Sequence, residues 1–312
     1  MKALIHIGMP KTGSSTIQAF LKINGDALRG QGIRHDPVNP RFGSQYELAA
    51  AGLVRAGACM SDGVALRVLG LRDPDAQRAY VNAFEARLQK GRQAWGEQVY
   101  LGSSEHIHAW LNRAEQIGAL DDLLRLYFDN VQYLVYLRPQ SEMVVSAYSE
   151  RIRRGETLSF NDHFNQRLKA LNYWKSLRLW ARVVGEERIT PRLLTPDALV
   201  GGDLLDDFCA IAGIDRAGLK TPPRMNTSLS AEAIALRRRL NRFLPVRNRK
   251  GARAKPYQLA LRLLERRLPQ PGTRLQLTED QNTSLLSDHA EGNEKLRARY
   301  FPERATLFPT GD

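Results

Sequence analysis

Four apolar runs of strand length, Ala3 to Gly8, Gln98 to Gly102, Val131 to Leu137 and Arg188 to Leu194, are separated by long stretches of helical periodicity. A chain that alternates this way folds as a mostly parallel sheet covered by helices. The run Val131-Gln132-Tyr133-Leu134-Val135-Tyr136-Leu137 is rich in β-branched and aromatic residues, as suits a central strand buried on both faces. Helices are expected over Ser14 to Lys22, Asp75 to Gln93, Arg113 to Tyr127, Gln140 to Arg153 and Asp203 to Ala212. The expected fold is therefore α/β, a three-layer sandwich around that sheet. No internal repeat is visible. The chain, residues 1–312, reads as a single domain with a basic helical appendage at about 230–268 and an end, Asn293 to Phe308, made of a last helix followed by an aromatic-bearing tail that folds back on the body.

Composition narrows the class. A hydrophobic share of 43% and a charged share of 25% are globular values, which exclude a disordered or fibrous chain. No stretch approaches the roughly 18 consecutive apolar residues of a membrane span, and Ala3-Leu4-Ile5-His6-Ile7 is too short for a signal-peptide core. The expected location is cytoplasmic, with peripheral attachment at the inner membrane surface as a further expectation. Cys59 and Cys209 make no disulfide framework and no zinc spacing. The net charge is +13, from 46 Lys plus Arg against 33 Asp plus Glu. Such a balance suits phosphate- or sulfate-bearing ligands, nucleic acid or an anionic membrane.

That charge is local. Arg237 to Arg267 holds twelve basic residues against Glu265 alone, which leaves 34 basic and 32 acidic residues elsewhere. Its aromatics are only Phe243 and Tyr257, so it offers no stacking platform for single strands and no nucleic-acid partner is expected. An anionic polymer, a membrane surface and a plain solvated face all remain open.

The sharpest motif is His6-Ile7-Gly8-Met9-Pro10-Lys11-Thr12-Gly13-Ser14-Ser15-Thr16, placed after the first strand and running into a helix with Ile17, Phe20 and Leu21 on one side. Strand, glycine turn and helix N-terminus together make a P-loop-like anion site. Gly8 and Gly13 have the spacing of the Walker A glycines, but Ser14 stands where that motif has its lysine. The lysine comes earlier, at Lys11. This disfavours a P-loop nucleotide kinase, which stays as an alternative beside a non-enzymatic basic adaptor.

A second motif follows the central strand: Arg138, then Ser146 two helical turns on in Pro139-Gln140-Ser141-Glu142-Met143-Val144-Val145-Ser146. Arg138 falls at the carboxyl edge of the sheet, where ligands of open α/β folds bind. Its guanidinium offers a bidentate fork to phosphate, and a serine hydroxyl adds a donor.

Together the motifs resemble those of the sulfotransferases that use 3′-phosphoadenosine 5′-phosphosulfate, in particular the bacterial and carbohydrate-type branch. Pro10-Lys11-Thr12-Gly13-Ser14-Ser15 is similar to that family's 5′-phosphosulfate loop, and Arg138 with Ser146 to its 3′-phosphate motif. Arg224-Met225-Asn226-Thr227-Ser228-Leu229-Ser230 and Asn293-Glu294-Lys295-Leu296 extend the likeness. The resemblance implies that Pro10 to Thr16 bind the donor, that Arg138 and Ser146 hold its 3′ phosphate with Arg224 closing over it, and that no metal takes part. The implied partners are the donor, its desulfated product and a hydroxyl-bearing glycan or glycolipid.

Lys11 is then placed to stabilise the leaving phosphate. The acceptor hydroxyl needs a base. Glu105, in Tyr100-Leu101-Gly102-Ser103-Ser104-Glu105-His106, follows a strand and is the first candidate; His106, His35 and Glu47 are the others. A first-turn acid that merely favours the helix after the strand is the competing reading of Glu105. His106 and His108 lack a third metal ligand beyond Glu105.

Overall fold

The computed structural model describes residues 1–223, 229–248, 252–269 and 271–308. It divides into two compact units, one of residues 1–138, 173–225 and 308–312, the other of residues 139–172 and 226–307.

The first unit is α/β. Its strands are β1 (Lys2–Ile7), β2 (Ile33–Arg34), β3 (Val99–Ser104), β4 (Asn130–Leu137) and β5 (Ile189–Leu193), in the spatial order β2-β3-β1-β4-β5. Every pair is parallel, and β1 lies between β3 and β4, with His6 opposite both Ser103 and Leu134. The chain leaves β1 toward one edge of the sheet and later returns to the other side of β1. Its carboxyl end is therefore the place where the strand order reverses, the position at which open α/β sheets bind their ligands.

Strand alternation sorts the core into two layers. Leu4, Leu134 and Tyr136 meet Ile17, Phe20 and Leu21 of the helix Ser14–Ile23, and Leu205, Phe208 and Cys209 of the helix Leu204–Ala212. Tyr133 turns to the opposite face, where its ring lies 5.2 Å from that of Trp180 in the helix Tyr173–Val184. The helices Tyr46–Arg55 and Ala114–Tyr127 cover this side as well. Sheet and two helical layers together realise the three-layer arrangement read from the sequence.

Two buried triads fasten β4 to its neighbours. On one face the Tyr133 hydroxyl donates to Asp121 at 2.7 Å, and Arg188 grips the same carboxylate with a contact of 2.9 Å. On the other, Tyr136 donates to Asp207 at 2.8 Å while the Arg192 Nε donates to it at 3.1 Å. Asp207 is wholly buried and also accepts from the Val200 N–H. Burial and the adjoining carboxylates push both phenols far above their usual range, so they remain donors at every working pH.

The second unit is helical among its described residues. The helix Gln140–Arg153 packs Met143 and Val144 against Phe164, Leu171 and Leu285, and Tyr148 and Ile152 against Ile234. Within the expected basic stretch lie the helices Ala231–Phe243 and Lys255–Glu265. The last helix differs from expectation. It runs Glu279–Tyr300, starting well before Asn293, because Thr278 caps it in a reciprocal box with Gln281, and Pro302 follows its end. In the first unit, the Phe308 ring stands edge-on to Tyr173 at 6.3 Å.

Truncating the wholly buried carboxylate leaves Arg192 and Tyr136 without their partner. Asp207→Ala should destabilise the protein by about 3–5 kcal/mol, read as a lowered urea midpoint. A loss below about 1 kcal/mol would mean the triad does not hold the sheet edge.

Candidate functional site

The loop after β1 is closed by its own side chains. The Thr12 hydroxyl donates to the Met9 carbonyl at 2.7 Å and the Ser14 hydroxyl to the same oxygen at 3.3 Å. Thr12 and Ser14 are therefore buried braces, whereas Ser15 and Thr16 are half-buried at the start of the helix. Gly13 is the helix N-cap, at φ +84, and no side chain caps the first turn and no acid lies in it. Its leading N–H groups precede any intrahelical carbonyl, so the helix start presents donors and a positive dipole end to an anion. A side chain at Gly13 would also collide with Leu204, its Cδ2 only 2.2 Å from an added Cβ.

Lys11 holds φ +66, the one non-glycine residue in the left-handed region among the described residues. A lysine costs free energy there, so the surrounding loop imposes that conformation. Arg138, just beyond β4, is part of what imposes it: its guanidinium donates to the Lys11 carbonyl at 3.1 Å. The Tyr173 hydroxyl in turn donates to the Arg138 carbonyl at 2.8 Å. Sequence reasoning placed Arg138 at the sheet edge but did not reveal this tie to the loop, nor Tyr173. Both are contacts between residues far apart in the chain, which periodicity does not report.

Glu105 opens the helix Glu105–Trp110 immediately after β3. The Gly8 N–H donates to the Ser104 carbonyl at 3.1 Å, extending the β1–β3 ladder by one step. A Cβ on Gly8 would stand 2.6 Å from the Ser14 hydroxyl and 2.8 Å from the Glu105 Cα. Gly8 thus brings the loop after β1 and the Glu105 backbone into contact. His106 lies beside it, its Nδ1 3.0 Å from the Ser44 hydroxyl, which also bonds Ser104. Its ring packs among Tyr46 at 4.2 Å and Trp110 at 4.6 Å.

The other base candidates lie in buried networks. His35 bonds the Leu101 carbonyl through Nδ1, and burial lowers its basicity. Glu47 is 1% exposed and accepts from the Val38 N–H and the Tyr80 hydroxyl, while burial raises its carboxyl above the usual range. His108 bonds Ser176, and burial takes it down to about 4. Ser146 is buried in the helix Gln140–Arg153 of the second unit. Arg224 lies outside the described residues. Among those described, no group of three or more His, Cys, Asp or Glu side chains is placed to hold a metal ion.

His6 sits beneath the loop. Its Nδ1 is 2.9 Å from the Ser103 hydroxyl, its ring meets Tyr136 and Phe208 edge-on, and its Nε2 has no partner. Complete burial pushes it down to about 3, so it is a neutral wedge at ordinary pH.

No family model and no curated protein matches the chain. Among solved structures it is similar to the crystal structure of a sulfotransferase from Alicyclobacillus acidocaldarius, at 17% identity and a TM-score of 0.42, over 86% of this chain and 97% of that one. A likeness of this size assigns no residue a role.

Below its ordinary value of 6.5 the unfolded chain protonates His6 while the folded protein does not until about pH 3. Stability should therefore fall as pH drops through that window, by about 1.4 kcal/mol per pH unit for this group. Urea midpoints between pH 6.5 and 4 should decline less steeply in His6→Gln; an unaltered slope would show that the imidazole is not held neutral.

Proposed function

We propose that the protein is a sulfotransferase, moving a sulfuryl group from 3′-phosphoadenosine 5′-phosphosulfate to an acceptor hydroxyl on a carbohydrate or glycolipid. The observation that carries this reading is the loop at the carboxyl end of β1. It ends in a helix start free of acid and side-chain cap, yet its lysine is Lys11, inside the turn, and Ser14 stands at the Walker position. A lysine there suits the bridging oxygen of a short phosphosulfate better than the β and γ phosphates of ATP.

In this reading the N–H groups at the helix start, with Ser15 and Thr16, bind the 5′ phosphate. Thr12 and Ser14 keep the loop closed through Met9, and Arg138 keeps the Lys11 backbone in place. On the sequence motif, Arg138, Ser146 and Arg224 serve the 3′ phosphate. The acceptor oxygen attacks sulfur in line with the bridging oxygen of the leaving phosphate. As the new oxygen–sulfur bond forms, the old one breaks and its electron pair stays on the phosphate, where the Lys11 ammonium offsets the growing charge. The acceptor proton passes to a base, and Glu105 is our assignment because its backbone adjoins the loop at Gly8. His106, held by Ser44 and the aromatic rings, is the alternative base.

Transfer from labelled donor to a panel of glycan, glycolipid and phenol acceptors tests this. Lys11→Ala should lose at least about a hundredfold in turnover with every acceptor; near-normal turnover would remove the leaving-group role. Glu105→Gln should lose a similar factor while binding the desulfated product as tightly as the parent. Full activity in that variant would pass the base role to another group.

A further inference from the structure

The basic stretch of the second unit has a polarity that its composition does not reveal. Its two helices, Ala231–Phe243 and Lys255–Glu265, pack side by side. Arg237 donates to Glu265 at 3.0 and 2.6 Å, and the Tyr257 hydroxyl donates to Asn241 at 2.8 Å. Asn241 and Arg238 also donate to the carbonyls of Ile152, Glu156 and Thr157, and Ile234 joins the cluster of Tyr148 and Ile152. These bonds define the inner sides of the pair.

The outer sides carry a different set. On Lys255–Glu265, Leu259 and Leu263 stand one turn apart and are 62% and 55% exposed, flanked by exposed Arg262 and Arg266. They lie across the helix from buried Tyr257, at the spacing of one continuous face. On Ala231–Phe243, Arg239 is exposed on the side away from Ile234 and Arg242 on the flank beside it, and Phe243 at the helix end is 77% exposed. The stretch's sole acid, Glu265, is consumed by Arg237. Burial lowers the Arg153 guanidinium below its usual range, with Arg237 and Arg253 adding to this and Glu150 and Glu265 opposing it.

Leu259 and Leu263, one turn apart on one helix face, go beyond the singly scattered apolar side chains that a plain solvated face carries. A face for a soluble polyanion needs the cations and gains nothing from the leucines. Arginine forks that bind phosphate, interleaved with large apolar side chains, are what an interfacial helix needs at a phospholipid surface. We propose that the outer face of these two helices docks the protein on a membrane bearing anionic phospholipid, with Leu259, Leu263 and Phe243 entering the headgroup boundary and Arg239, Arg242, Arg262 and Arg266 bound to lipid phosphates. Docking is independent of the sulfuryl-transfer reading.

The full-length protein should cosediment with vesicles of phosphatidylcholine containing a third phosphatidylglycerol, and not with phosphatidylcholine alone, without any donor present. Arg239→Gln, Arg262→Gln and Arg266→Gln combined should weaken binding by roughly a hundredfold. Leu259→Gln with Leu263→Gln retains every charge and should still weaken binding by about tenfold or more, while binding of heparin, a soluble polyanion, stays as in the parent. All these positions are exposed, and far-UV circular dichroism should match the parent in each variant. No binding to anionic vesicles at low salt would overturn the proposal. So would vesicle binding unaffected by the leucine substitutions, or capture by heparin alone, since either leaves a polyanion site in place of a membrane face.

Discussion

At position 8 the chain has no room for a side chain, because the Ser14 hydroxyl and the Glu105 backbone both stand within 3 Å of where a Cβ would be. Three segments converge there: the end of β1, the first turn of the helix it feeds, and the start of the helix that follows β3. The parallel pairing of β1 with β3 brings the ends of both strands to the same edge of the sheet, and Gly8 extends that ladder one residue beyond the strand. Close approach, rather than backbone freedom, is the use of glycine here. Everything assigned to the loop and to Glu105 depends on this contact, since it sets the loop against the end of β3.

The other side of β1 is held differently. β4 ends one residue before Arg138, and its tyrosines at 133 and 136 point to opposite faces, each into a carboxylate shared with an arginine, Arg188 just before β5 and Arg192 within it. Replacing such groups by apolar ones can leave stability unchanged, so their use lies more in register than in energy. A one-residue slip of β4 would exchange the two tyrosines between faces and strand both carboxylates. Fixing that register fixes the height of Arg138, which fastens the backbone of Lys11. The loop after β1 is thus braced from both neighbouring strands, by close packing on one side and by a chain of hydrogen bonds on the other.

Much of this was legible before the structure. β1, β3 and β4 announce themselves as apolar runs because strands covered on both faces have little polar alternation to dilute the signal, whereas the edge strand β5 alternates, with Ile189, Pro191 and Leu193 buried between Thr190 and Arg192. β2, only Ile33–Arg34, is too short to carry a pattern. The helix Tyr46–Arg55 escapes because Glu47 to Leu53 are buried all round, which erases the stripe that marks a helix. The helix Tyr173–Val184 does carry its stripe, in Tyr173, Leu177, Trp180 and Val184, although the expected set omits it. At the site, the loop and Glu105 were legible from their places after strands. The Thr12 and Ser14 hydroxyls, expected to serve a ligand, are braces to Met9, a distinction that depends on side-chain direction and not on residue type. His35 and Glu47 were candidates by chemistry alone, and only their partners reveal them as members of buried networks.

The charge divides along the same lines. Outside Arg237 to Arg267 the basic and acidic residues nearly balance, so no broad positive field draws an anionic ligand to the loop. In the proposed reading, recognition there comes from a few groups at fixed positions: the leading N–H groups of one helix start, Lys11 and Arg138. In the basic stretch the reverse holds: Arg237 and Arg238 are tied inward to Glu265 and the Thr157 carbonyl, while Arg239, Arg242, Arg262 and Arg266 are exposed. A diffuse array reads surface charge over a wide area, whereas a placed pair reads the geometry of a single phosphate. The two patterns call for ligands of different kinds, which is why the excess of thirteen positive charges is better understood as a property of the stretch Arg237 to Arg267 than of the loop after β1.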